Sequence, residues 1–258
     1  MRVEILVTND DGIWATGIQT LASSLKELGE VSIVAPLEEK SAIGHGITIR
    51  ESIRVQEHKL KGLKSAWAVD GTPADCVKLG VKELVGNDCG LVISGINHGP
   101  NLGTDVLYSG TVSAAIEGVI MGLPSIAVSL SSWDYDDYSV AAEVTLNLVR
   151  YMLENKMVLP GRTLLNVNIP PVKKEEILGF RITKLGVREY DNQYEKRIDP
   201  KGDTYYWPAG KIIPSKEINP DIDIIAVEQN YISITPIHFD LTNYQIIKEV
   251  NKWDLDKL

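Results

Sequence analysis

What this chain has little of narrows it first. It carries two cysteines, Cys76 and Cys89, in 258 residues. They form no Cys-x-x-Cys pair and have no histidine at ligand-like spacing, which speaks against zinc. They read as two small buried apolar residues. Basic residues are in deficit, 26 Lys and Arg against 35 Asp and Glu, a net charge of −9. Binding to a nucleic-acid polymer, which needs a basic footprint, is therefore not expected. A small anionic substrate stays open, because a bound cation reverses the local field. Long apolar runs are missing: the stretch over residues 118–130 is broken by Pro124 and is too short to span a bilayer. The first apolar run, residues 3–7, is too short for a secretory signal. The expectation is a soluble, cytoplasmic protein without membrane contact. Two nucleotide-binding signatures are also absent. No Gly-x-x-x-x-Gly-Lys occurs, and beyond Gly44 and Gly46 the third glycine of a Gly-x-Gly-x-x-Gly fingerprint is replaced by Ile49.

What is present has the order of an α/β protein. At 44% hydrophobic and 24% charged the composition is that of an ordinary globular chain. Its length suits one large domain with extensions or two small ones. Residues 3–7 are β-rich and end in Thr8-Asn9-Asp10-Asp11-Gly12. Ile18, Leu21, Ala22, Leu25 and Leu28 then mark a helical stripe, stopped by Gly29, and residues 31–35 form a second strand before Pro36. A crossover of this length implies a parallel pair. Residues 47–69 read as strands with a turn near Lys61-Gly62. Thr72, Pro73 and Asp75 spell a helix start, with Val77, Val81, Leu84 and Val85 as its buried stripe. Strands follow at 90–93, 125–130 and 163–169, with helices at 111–121 and around Ala141, Val144, Leu148 and Met152. This alternation predicts an α/β, doubly wound, mostly parallel sheet in a Rossmann-like three-layer core over residues 1–186. Residues 187–258 are expected to form a projecting hairpin and a C-terminal oligomerisation arm rather than an independent domain. The hairpin, at 187–215, holds Tyr190, Tyr194, Tyr205, Tyr206 and Trp207. A late strand is expected at 231–237 and a terminal helix at 242–253.

Three polar clusters fall at strand ends, where such sheets bind ligands. Asp10 and Asp11 are adjacent carboxylates that repel each other unless a cation lies beside them; alone, the motif is equally a capped turn. Ser41-Ala42-Ile43-Gly44-His45-Gly46, taken alone, is a flexible loop. The third cluster runs from Ser94-Gly95-Ile96-Asn97-His98 through Asn101 to Tyr108-Ser109-Gly110-Thr111-Val112. Ser109, Gly110 and Thr111 place hydroxyls and free N–H groups at a helix start, an anion site by geometry and dipole. Oxygen ligands without cysteine indicate a hard cation, Mg2+ or Mn2+. His45 and His98 read as surface or supporting residues rather than ligands, and His238 is left without a role.

The runs Val7-Thr8-Asn9-Asp10-Asp11-Gly12, Gly71-Thr72-Pro73-Ala74-Asp75-Cys76-Val77, Ser94-Gly95-Ile96-Asn97 and Tyr108-Ser109-Gly110-Thr111-Val112 resemble signature segments of the SurE (survival protein E) family. So do Leu165-Asn166-Val167-Asn168-Ile169-Pro170 and Tyr231-Ile232-Ser233-Ile234-Thr235-Pro236. The resemblance covers nearly the whole chain in order and is weakest over residues 172–225. It implies a metal-dependent phosphatase acting on nucleoside 5′- and 3′-monophosphates, with broader phosphomonoesterase and polyphosphatase activity. It implies one divalent ion per subunit on Asp10, Asp11, Ser41 and Asn97, and phosphate contacts from Asn9, Asn101, Ser109, Gly110 and Thr111. It also implies a homodimer or homotetramer with interlocked C-terminal segments. The expected mechanism is direct hydrolysis, with Asp10, then Asp11, as the first choices to accept a proton from the attacking water. An aspartyl-phosphate route is disfavoured because its Asp-x-Asp pattern is replaced by adjacent aspartates. A nucleotide-sensing module is the rival outside enzymes.

Overall fold

The computed structural model describes residues 3–157, 159–160 and 162–255. Its first strand, β1 (Glu4–Thr8), is buried along its whole length, as a strand covered on both faces of a parallel sheet must be. Helix α1 (Thr16–Leu25) returns the chain to β2 (Glu30–Pro36), which pairs parallel to β1. Then come β3 (Val55–His58), β4 (Ser65–Val69), α2 (Pro73–Leu79), β5 (Cys89–His98), α3 (Gly110–Ile120), β6 (Ser125–Leu130), α4 (Ser139–Glu154) and β7 (Leu164–Ile169). The last part adds β8 (Phe180–Ile182), β9 (Glu189–Tyr190), β10 (Tyr194–Ile198), β11 (Thr204–Pro208), β12 (Ile212–Ile213), α5 (Asp223–Glu228), β13 (Ile232–Ile237) and α6 (Tyr244–Val250).

The main sheet has nine strands in the order β3-β4-β2-β1-β5-β6-β7-β13-β8. The run from β4 to β7 is parallel throughout, while β3 and β13 pair antiparallel to β4 and β7. From β1 the chain first builds outward through β2 and β4, then crosses to β5 on the other side. The switch point therefore lies between β1 and β5, where a crevice opens beyond the strand ends. Helices α1 and α4 pack together over one face, and α2 packs on α3 over the other. One apolar cluster, including Ile5, Ile18, Leu21, Ile93, Val128 and Val149, lies on the α1 side. A second, including Leu6, Val34, Val77, Val92 and Ala114, lies on the α2 side. Both cysteines are free and buried in that second cluster. Among the described residues no helix is long and apolar enough to cross a membrane.

Several elements differ from their sequence expectation. Residues 47–54 are not strand. There the Thr48 N–H and hydroxyl donate to the Asp75 carboxylate instead of to a ladder. Helix α2 stops at Leu79 and passes into one wider turn, Gly80–Leu84, so Val81, Leu84 and Val85 are only half-buried. Strand β5 runs on through Asn97 and His98, carrying polar groups to the sheet edge. Strand β8 and helix α5 were not anticipated; three and six residues are too few to show a period. The segment after β8 makes the expected projecting hairpin, in which β10 pairs with β11 and β9 with β12. Strand β13 lies inside the main sheet, between β7 and β8.

Candidate active site

The switch point collects the first and third clusters. Directly after β1, the Asn9 side chain donates to the Gly12 carbonyl and accepts from the Gly12 N–H. Gly12 itself takes a φ of 97°, a backbone region open chiefly to glycine. This closed turn aims the next two carboxylates. Asp10 is buried and accepts a hydrogen bond from the Thr111 hydroxyl at the start of α3. Asp11 accepts from the His98 N–H at the end of β5 (3.2 Å). The loop after β2 is fastened alongside, with the Lys40 N–H donating to the Asp10 carbonyl (2.7 Å).

A cleft of about 310 Å³ opens there, bordered by Asp10, Ser41, Asn97, Asn101 and Ser109, with Asp105, Tyr108, Trp133 and Tyr190 further around it. A larger hollow of about 640 Å³ at the root of the hairpin holds none of the expected site residues. Charge and donor chemistry, not volume, single out the smaller one. Burial pushes the Asp10 carboxyl above its ordinary value, against the hydrogen bonds from Thr111, and the charge of Glu39 adds to the rise. Burial, then the charge of Asp10, lifts Asp11 to about 7. Both shifts are those of desolvated carboxylates beside like charges. Among the described residues no three His, Cys, Asp or Glu side chains converge as a metal-binding group. A cation here would have two carboxylates and neutral oxygens as ligands, which fits a hard ion.

The neutral groups are oriented by their own partners. The Asn97 side-chain N–H donates to the Gly99 carbonyl (2.8 Å), so its Oδ1 is the ligand atom it offers. Ser41 is exposed and its hydroxyl donates to Glu39. Asn101 is held from β7, where the period of two puts Asn166 and Asn168 on one face. Both donate to the Asn101 carbonyl, and Asn168 Oδ1 accepts the Asn101 N–H. One Asn101 side-chain N–H goes to the Ser129 hydroxyl (2.8 Å), leaving the second. Ser109 caps α3, accepting the Val112 N–H on its Oγ (3.0 Å), and its own O–H is left to donate.

Of the nine expected residues, five line the cleft, while Asp11 and Gly110 lie directly behind its wall next to Asp10 and Ser109; the other two are placed differently. Asn9 is fully buried and both ends of its side chain are committed to Gly12, so it shapes the turn instead of reaching the cleft. Thr111 is also fully buried, and its hydroxyl and amide both face the Asp10 carboxylate instead of the cleft. Sequence reasoning gave no site role to Trp133, Asn166 or Asn168. The alternation Asn166-Val167-Asn168 inside an otherwise apolar strand was the available signal for the second and third.

The fold and the cleft define an open α/β protein whose acidic, hydroxyl- and amide-lined crevice sits at its topological switch point. A sequence profile described as "Survival protein SurE" matches residues 5–192. The chain belongs to the SurE family. It is 53% identical over 253 residues to "5'-nucleotidase SurE" of Syntrophomonas wolfei, covering 97% of this chain and 94% of that protein. It is also 53% identical over 251 residues to "5'-nucleotidase SurE" of Pelotomaculum thermopropionicum, covering 97% and 95%. The crystal structure of the SurE protein from Aquifex aeolicus superposes with a TM-score of 0.83 at 40% identity, covering 96% of this chain and 98% of that one.

Proposed function

We propose that this chain is a metal-dependent phosphatase that hydrolyses nucleoside 5′-monophosphates to nucleoside and phosphate. The observation that carries the reading is the adjacent pair of buried Asp10 and half-buried Asp11, with Asp10 set against the hydroxyl- and amide-bearing start of α3 at the cleft. Relatives called 5'-nucleotidase, matched over nearly the full length, support it. The finer reading extends to 3′-monophosphates, other phosphomonoesters and polyphosphate.

Asp10, Asp11, Ser41 and Asn97 would hold one divalent ion per subunit, Mg2+ or Mn2+. Bound there, the ion supplies Lewis-acid polarisation of a phosphate oxygen and a lowered pKa for a bound water. Asp10 has one oxygen occupied by Thr111; its Oδ2 takes the proton of the attacking water. The Ser109 O–H, the Gly110 N–H and the second Asn101 N–H donate to the equatorial phosphate oxygens, whose charge grows in the transition state. Thr111 acts by holding Asp10, and Asn9 by shaping the turn.

The working form is a homodimer or homotetramer in which C-terminal segments interlock. Supporting this, the hairpin and α6 expose Tyr194, Trp207, Ile246 and Ile247. Two free cysteines agree with a cytoplasmic setting. Phosphate release from 5′- and 3′-nucleotides with Mg2+, Mn2+ or chelator tests the reading. Hydrolysis restored by either ion is expected, whereas full activity after exhaustive chelation, or nucleotide binding without hydrolysis, would overturn it.

A further inference from the structure

The same cleft has an aromatic border that phosphate chemistry does not use. Trp133 and Tyr108 line it while 67% and 65% exposed, and Tyr190 joins them from the root of the hairpin. Large rings left in water at a cleft need a reason, and two of these, Trp133 and Tyr190, are held in place. The Trp133 ring lies over Gly99, where a Cβ would come within 2.3 Å of it. It stacks on His98, with centroids 6.2 Å apart and planes at 24°, and the Trp133 carbonyl is hydrogen-bonded to the His98 ring (2.9 Å).

Tyr190 is held by a joint between distant parts of the chain. Its hydroxyl donates to Asp105 Oδ2 (2.8 Å), and Arg188 Nη1 donates to the same oxygen (2.9 Å). The Thr104 hydroxyl donates to the Arg188 carbonyl (3.0 Å) and accepts the Arg188 N–H (3.2 Å). Thr104 and Asp105 belong to the short turn Gly103–Leu107, which leads straight into Ser109. The turn that delivers the helix cap to the phosphate end thus also fixes an aromatic ring at the cleft. Rigid rings of this kind suit a flat, partly apolar partner, because little freedom is lost when it docks.

We propose that Trp133, Tyr108 and Tyr190 form the nucleoside end of the cleft and take the planar base by stacking, with Asp105 and Arg188 as positioning residues for Tyr190. The proposal rests on the nucleotidase reading and specifies its substrate contact. The cleft volume of about 310 Å³ lies in the range of small-molecule sites, roughly 300–1,000 Å³. Stacking accepts every base through its π-face, so purine and pyrimidine monophosphates are both substrates, with purines favoured for their larger ring area.

The test compares adenosine 5′-monophosphate with ribose 5-phosphate, which keeps the phosphoester but lacks the base. The full chain is assayed with Mn2+, and adenosine is added as an inhibitor of ribose 5-phosphate hydrolysis. In Trp133→Ala and in Tyr190→Ala the ratio of kcat/KM for the two substrates should fall roughly tenfold, carried by KM. The inhibition constant of adenosine should rise in step. Tyr190→Phe, which keeps the ring and loses only the bond to Asp105, should lower the ratio less. A ratio unchanged within about twofold in both alanine variants would overturn the proposal, whether or not the rates themselves fall. So would a change in subunit number without a change in ratio, which would make the rings a subunit contact. If the wild-type chain hydrolyses ribose 5-phosphate but shows no preference for the nucleotide and no inhibition by adenosine, the base end falls and the phosphatase reading stands. If it hydrolyses neither ester, the nucleotidase reading fails and this proposal with it.

Discussion

Asp10 and Asp11 set the terms at the scale of single residues. The Asp11 carboxyl rises from an ordinary value of 3.8 to about 7. A folded value above the unfolded one means the folded chain binds more protons between those two points. The metal-free protein should therefore lose stability as pH rises from about 4 to 7. Asp11→Asn removes the half-buried charge, and at pH 7.5 in chelator it should raise Tm by about 4–8 °C. The gain should vanish near pH 4, as thermal melts across that range would reveal. The same substitution, or Asp10→Asn, should cut turnover at least a hundredfold with the fold intact, the usual mark of a site that trades stability for chemistry. Ser109→Ala removes one donor to a charged group, worth about 1.5–3 kcal/mol, so kcat/KM should drop roughly tenfold to hundredfold with metal affinity unchanged. Asp10, Asp11, Asn97 and Ser109 were legible in the sequence because strand ends and helix starts advertise themselves locally. Trp133 was not, and nothing local fixed which of the hairpin aromatics would reach the cleft. Tyr190 reaches the cleft through a bond to a residue 85 positions earlier, and His98 meets Trp133 across 35.

Between elements, α3 meets β1 tightly at the site. A Cβ built on Gly110 would lie 2.7 Å from the Asp10 Cβ and 2.8 Å from its Oδ2, so only a glycine lets the helix start meet the strand end. Gly110→Ala should lower kcat/KM more than Ser109→Ala does and should also lower Tm, because strand or helix must shift; kinetics beside melts on the two variants test the order. On the same face, Thr72 and Asp75 cap α2 reciprocally. Asp75 also accepts from Thr48, and Thr72 donates to the Gly46 carbonyl (2.8 Å). The cap therefore fastens the far end of the loop that carries Ser41. Burial raises the Asp75 carboxyl, but the bonds from Thr48 and Thr72 outweigh it and the net value is lowered. That contribution is complete above the ordinary carboxylate value and is lost as pH falls through the lowered one. Thr72→Ala should cost about 0.5–2 kcal/mol in urea unfolding at neutral pH, and should weaken metal binding by loosening the loop. The capping pair was readable from Thr72-Pro73-Ala74-Asp75. Its grip on residues 46–48 was not, since nothing local distinguishes a loop that bonds to a helix cap from a strand that bonds to a neighbour.

The whole molecule exposes more surface than a lone compact subunit should. A folded monomer of 28.5 kDa is expected to show about 11,000 Å², whereas this chain shows 15002 Å². An excess on the order of 4,000 Å² is what segments standing off a compact core add to a chain's surface. Much of the hairpin is exposed on both sides, including Tyr205, Tyr206 and Trp207. At its root the Asp191 N–H donates to the Lys211 carbonyl (3.0 Å) and the Lys211 N–H to Asp191 Oδ1 (2.8 Å). Replacing residues 192–210 with Asn-Gly should therefore leave the sheet folded while lowering the subunit number seen by light scattering; an unchanged mass would remove the hairpin from the assembly. The parallel core from β4 to β7 was legible because buried strands and amphipathic helices alternate. The place of β13 was not, since no local pattern says which strand it will join. That place has a consequence for synthesis. The ribosome releases β7 long before it has made β13, and β7, buried on both faces, waits with one edge unpaired. A chain halted anywhere between residues 170 and 231 would carry a nearly complete cleft beside a sticky, open edge. Such truncated products should be captured by chaperones or proteases, or aggregate, before they accumulate as partly built enzyme.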